Sequence, residues 1–244
     1  MAPASSLSSR DQAQRVEANT AANPDLQVVL IAGDIPGSGL VQNLAAPGGN
    51  ITGVTAGNVA QHEAARVALL KEAVPAASKI AYVIKSQAES PTVWGTEMLK
   101  AAVGTTPAFF DDVKDDVGLD ATAHLRALMD AKTAGANGVV VAGGVDLSEY
   151  SALLGNYSLA LKLPGIAPWR DYVIGGGLMS YGPNYNEMFK TAATMAARIM
   201  KGEKAGAIAV ATPAPELVIS QRNARTLGVT IPPSVVAKAK EVQM

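Results

Sequence analysis

The chain contains no cysteine, which excludes disulfides, thiolate zinc sites and cysteine nucleophiles. Aromatic residues are sparse, at 5%, with two tryptophans, six tyrosines and three phenylalanines. Histidine is rarer still: His62 and His124 are the only two. Each falls inside a predicted helix and nothing in the sequence pairs with it, so both read as surface or internally satisfied residues. No apolar run approaches the ~18–20 residues that a membrane-spanning helix requires. Neither sign of charge dominates, since 20 basic residues stand against 21 acidic ones. That balance excludes both the basic excess of a nucleic-acid binder and the charge block of a disordered tail.

Catalytic and cofactor signatures are missing too. The chain has no GxxxxGK[ST] phosphate loop, no GxSxG elbow and no HExxH helix. The glycine-rich stretch Gly33–Gly39 lacks the spacing of a dinucleotide fingerprint and is interrupted by Pro36. The acidic run Asp111, Asp112, Asp115 and Asp116 lacks the glycine and terminal glutamate of a calcium loop and reads as a solvated turn. The loops offer hydroxyls, amides, one arginine, one tryptophan and one tyrosine. This is recognition chemistry without a nucleophile–base pair, so neither an enzyme nor a cofactor is expected. The segment MAPASSLSSRDQAQRV has no charged region followed by an apolar one, and no signal peptide is expected within it.

What the 244 residues do contain is a regular alternation of strand and helix signals. Leu26–Ala32 (LQVVLIA) and Gly138–Ala142 (GVVVA) are continuous branched apolar runs, the pattern of strands buried on both faces. Further strands are expected at Ile51–Thr55, Lys79–Ile84, Ala108–Phe110, Gly165–Ala167, Leu178–Tyr181 and Glu216–Ser220. Helices are expected to run to Val74, over Val93–Ala102, from caps at Asp120 and Asp146, to Leu227 and from Pro233. The fold class is therefore α/β with mostly parallel sheets, whose ligands sit at strand carboxyl ends.

The stretch Gly175–Lys201 organises the rest. Three glycines precede a short strand, a Gly-Pro turn and a long helix. Asn184 with Glu187 forms a capping-box pattern, and Met188, Ala192, Met195 and Ile199 share one face. Lys201 and Gly202 read as the helix end. Tyr181, at the carboxyl end of that strand, is either a packed edge residue or a pocket wall.

Four runs carry a resemblance: Leu44–Thr55 (LAAPGGNITGVT), Leu69–Val83 (LLKEAVPAASKIAYV), Gly176–Pro183 (GGLMSYGP) and Glu216–Pro233 (ELVISQRNARTLGVTIPP). In this order they resemble the ABC-transporter substrate-binding proteins whose members include tryptophan- and tyrosine-binding lipoproteins. The resemblance implies two Rossmann-like lobes of the type I periplasmic-binding fold with the solute in the cleft between them. Lobe one would comprise 1–76 and 178–210, and lobe two 77–177 and 211–244, with Leu178–Tyr181 re-entering lobe one. Family members normally carry a signal sequence and about three more lobe-one strands ahead of Leu26–Ala32. Lobe one is therefore expected to be N-terminally incomplete, with Leu26–Ala32 as an open edge and solute binding impaired.

On this reading Asp146, Trp169, Arg170 and Tyr181 line the cleft, and Asp34 and Thr55 face them. The implied function is capture of a small solute, an amino acid or small aromatic acid, for an ABC transporter permease in the periplasm. No nucleic-acid partner is implied. A cytosolic effector-sensing domain or an enzyme on a similar α/β scaffold is the alternative.

Overall fold

A computed structural model describes residues 9–57, 59–84, 105–109, 121–143 and 148–244. The expected helix at 93–102, the acidic run at 111–116 and the caps Asp120 and Asp146 lie outside them. In chain order the first elements are α1 (Ser9–Ala22), β1 (Val28–Ala32), α2 (Ile35–Ser38), β2 (Ile51–Thr55) and α3 (Val59–Ala73). Next come β3 (Ile80–Ile84), β4 (Thr105–Phe109), α4 (Ala121–Thr133), β5 (Gly138–Val141), α5 (Ser151–Ala160) and β6 (Gly165–Ala167). The chain continues through α6 (Arg170–Gly175), β7 (Met179–Gly182), α7 (Tyr185–Met200) and β8 (Glu216–Ser220). It closes with α8 (Gln221–Leu227), α9 (Pro233–Val236) and β9 (Glu241–Gln243).

The chain forms two compact units, Met1–Val59 with Pro183–Ala214, and Ala60–Gly182 with Pro215–Met244. In the first, β1 and β2 pair in parallel from Val28↔Ile51 to Ala32↔Thr55. Gly53 permits this register, because a Cβ there would stand 2.2 Å from the Leu30 carbonyl oxygen. On the other side of β2, Ala211 bridges to Val54. Among the described residues β1 pairs on one side only. Helix α7 starts where the capping pattern places it, the Asn184 side chain accepting from the Glu187 amide at 3.3 Å. Met188, Ala192 and Met195 are buried against Val54 and Ile208, and Gly202 takes up a left-handed φ of 97° beyond the helix end.

The second unit holds a seven-stranded sheet of order β4-β3-β5-β6-β7-β8-β9. Its pairings are parallel except that of β7 with β8. Val139, Val140 and Val141 of β5 are fully buried, as the continuous apolar run requires. Helix α3, expected in lobe one, buries Val67, Leu70, Ala73 and Val74 in this unit's core. Leu178–Tyr181 likewise does not re-enter the first unit. As β7 it pairs with β6 and β8, and Leu178 and Met179 are completely buried in the second core. The chain leaves after Gly182.

The three glycines before β7 answer to packing. A Cβ at Gly177 would lie 2.1 Å from the Tyr172 ring, and one at Gly175 would lie 2.0 Å from the Ala152 carbonyl oxygen of α5. Tyr172 is thereby sealed in, donating to the Ser158 hydroxyl at 2.9 Å, and burial pushes its phenol pKa far above the usual value. Asn223, at the start of α8, donates to the carbonyls of Val173 at 2.9 Å and Gly177 at 2.8 Å. A single buried amide thus ties α8 to the turn before β7.

Candidate functional site

Strands β3, β5, β6 and β7 run parallel, so their carboxyl ends form one rim of the second unit. The first turns of α3 lie on that rim. Glu63 and Arg66, one turn apart, are 1% and 2% exposed and form an ion pair. The Glu63 carboxylate also accepts from the Gly143 amide beyond β5 at 2.8 Å and from the Tyr82 hydroxyl of β3 at 2.5 Å. Arg66 Nη1 donates to the Tyr181 carbonyl of β7 at 2.8 Å. One charged pair therefore pins α3 to three strands.

The chemistry of the cluster is internally balanced. A buried ion pair is tolerated when its remaining hydrogen-bonding positions are filled, as several here are. Burial and the neighbouring Glu63 charge push the Tyr82 hydroxyl well above its ordinary pKa, so it stays a donor. The loop after β6 closes the rim: a Cβ on Gly143 would touch Glu63 and Pro168, and one on Gly182 would lie 2.3 Å from the Pro168 carbonyl oxygen.

Among the described residues, His62 and Tyr181 stand half-buried at this rim. Their rings meet edge to face, with centroids 6.1 Å apart and planes at 86°. Partial burial and the adjacent Arg66 hold the His62 pKa below its usual value, against a smaller opposing pull from Glu63. The imidazole is therefore neutral at pH 7.

In the first unit the carboxyl ends of β1 and β2 are joined by the buried Thr55 hydroxyl. It donates to the Gly33 carbonyl at 3.1 Å and accepts from the Ile35 amide at 3.2 Å. Asp34, next along, accepts from the Gly37 amide at 2.8 Å through its side chain. These contacts shape the Gly33–Gly39 loop.

The remaining sequence candidates divide. Trp169 precedes α6 and packs in the second core at 5% exposure. Arg170 makes two hydrogen bonds to Glu241 of β9, at 2.8 and 2.7 Å, on an exposed surface. Those bonds hold the Glu241 carboxyl below its usual pKa. Tyr181 stands at the rim, Asp34 lies in the loop after β1 that Thr55 bonds from the end of β2, and Asp146 lies outside the described residues. Sequence reasoning missed His62, Glu63, Arg66 and Tyr82. The available signal was Glu-x-x-Arg at i,i+3 on a helix that buries the apolar face carrying Val67, Leu70 and Val74.

No helix among the described residues is long and apolar enough to cross a membrane. In fold the chain is similar to an ABC domain from Streptococcus pneumoniae solved in complex with L-Trp. That match has a TM-score of 0.69 at 22% identity and covers 96% of this chain and 86% of that one. A conserved domain protein from Vibrio cholerae gives a TM-score of 0.69 at 24% identity, covering 95% and 82%. An ABC transporter solute-binding protein from Agrobacterium vitis bound to alpha-D-tagatopyranose gives 0.58 at 15% identity, covering 93% and 75%. A search of curated proteins finds no match. The fold is that of the type I periplasmic-binding proteins. The sequence matches the family profile of ABC transporter substrate-binding proteins over residues 9–243, and the chain belongs to that family.

Proposed function

We propose that this substrate-binding protein captures a small amino acid or aromatic acid and delivers it to an ABC transporter permease from the outer side of the membrane. The observation that carries the solute class is the rim of the second unit. Its half-buried rings, His62 and Tyr181, are flat, and its described buried charges, Glu63 and Arg66, are paired with each other. Such a wall favours an apolar or aromatic body, whereas a sugar requires a dense set of side-chain amides and carboxylates. The Streptococcus pneumoniae neighbour bound to L-Trp supports the reading; the sugar-bound neighbour is more remote in fold. Tyr181 meets the solute directly. Asp34 and Thr55, through the loop they shape, supply hydrogen-bonding groups, and Asp146, expected from the sequence alone to cap a helix, is a further candidate contact for a carboxylate. Trp169 and Arg170 act from behind, as packing and as an anchor to β9.

The test is a thermal-shift and calorimetric screen of the purified chain against L-tryptophan, L-tyrosine, L-leucine, D-tagatose and D-allose. Stabilisation by one or more of the amino acids is expected. A response confined to the sugars overturns the proposed solute class.

A further inference from the structure

His62 belongs to none of the expected site positions, and its place in the fold gives it a role. It sits in the first turns of α3, at the strand carboxyl ends where α/β sheets take their ligands. We propose that His62 is a specificity-determining contact: its imidazole and the Tyr181 ring form a corner of two faces against which the flat apolar part of the solute packs. The inference rests on the solute class proposed above and names the residue that sets it.

Three observations support it. The rings stand at 86° with centroids 6.1 Å apart, an edge-to-face pair whose two planes meet as a corner. Both side chains are half-buried, whereas the other histidine, His124, is buried and stacked on Tyr150 at 4.5 Å. The corner is also rigid. Glu63 follows His62 directly and is bonded to Gly143 and Tyr82, while Arg66 holds the main chain of Tyr181 itself. Both halves of the corner are thus fixed by one buried ion pair. The charged groups nearest the imidazole, Arg66 and Glu63, offset one another, so the ring presents a neutral π face and nitrogen atoms for hydrogen bonding.

With only two histidines in the chain, imidazole NMR signals report the site directly. Titration of the wild-type protein with L-tryptophan, L-tyrosine and L-leucine is expected to move the His62 signals while leaving those of His124 in place. His62→Ala is expected to weaken binding of the aromatic probes by about three- to tenfold without lowering the melting temperature. His62→Phe, which keeps a flat ring, is expected to restore most of the lost affinity. Binding of a probe with unmoved His62 signals, or unchanged affinity in His62→Ala, overturns the inference and leaves the solute class standing. Failure of all three probes to bind overturns both.

Discussion

The guanidinium of Arg66 donates to the main-chain carbonyl of Tyr181 across 2.8 Å, joining a helix to a strand 115 positions away in sequence. The same guanidinium pairs with Glu63, whose carboxylate holds the loop after β5. Position and charge at the rim therefore depend on one residue pair.

Breaking that pair leaves a buried charge uncompensated. Glu63→Gln or Arg66→Met alone is expected to cost about 3–5 kcal/mol of unfolding free energy. The double variant Glu63→Leu/Arg66→Met is expected to cost less than the sum of the single changes, because neither charge is then stranded. Urea unfolding of the four proteins checks this; strict additivity contradicts it.

Asn223→Leu removes two buried hydrogen bonds; the Val173 carbonyl keeps the Gly176 amide at 3.2 Å, while the Gly177 carbonyl loses its Asn223 donor. An expected loss of about 2–3 kcal/mol follows from the two lost bonds. A midpoint shift in urea unfolding without a change in slope measures it, and an unchanged midpoint refutes it.

Glu241 and His62 contribute to acid stability with the same sign. Glu241, held below its ordinary pKa chiefly by its hydrogen bonds to Arg170, contributes stability above the unfolded carboxylate value of about 4.3. That contribution is lost as pH falls, and exposure of the pair keeps it small. His62 has a folded pKa below the unfolded value of about 6.5, so its contribution is whole above that value and declines as pH falls. His62→Gln is expected to flatten the stability profile from about pH 6.5 downward, and Arg170→Gln to flatten it only below about pH 4.3. Unfolding midpoints measured across pH 3–8 distinguish the two, and an unaltered profile in His62→Gln contradicts the first.

Strand β1 has one paired edge among the described residues and is only half-buried, while β3 and β5 are internal strands of the larger sheet. Amides of Val28–Ala32 are expected to exchange with solvent faster than those of Ile80–Val83 and Val139–Val141. The uncharged, branched sequence of β1 also predicts association through that edge at high concentration. Equal protection in a dilute monomer contradicts the first expectation, and a chain that stays monomeric at high concentration contradicts the second.

Local rules account for the elements that the sequence made legible. Asn184 and Gly202 bound α7, and the apolar run at 138–141 is a doubly buried strand, because capping and burial periodicity act over a few residues. The division of the chain was less accessible. Leu178–Tyr181 resembles any buried strand in composition, and only its pairing with β6 and β8 assigns it to the second unit. The rim cluster was missed for the same reason. Glu63 and Arg66 are separated in sequence from Tyr82, Gly143 and Tyr181, which converge on them only in the fold. Trp169 and Arg170, selected for their chemistry, were committed elsewhere, to the core and to Glu241.

Strands β7 and β8 are antiparallel neighbours whose register pairs Gly182 with Glu216. The chain makes its whole excursion through Pro183–Ala214 between those two positions. Topologically the excursion is a hairpin loop enlarged until it helps build another body. Excising it and joining Gly182 to Glu216 through a tight turn would yield a continuous single-body protein from residue 60 onward, carrying the sheet and its rim without the first unit.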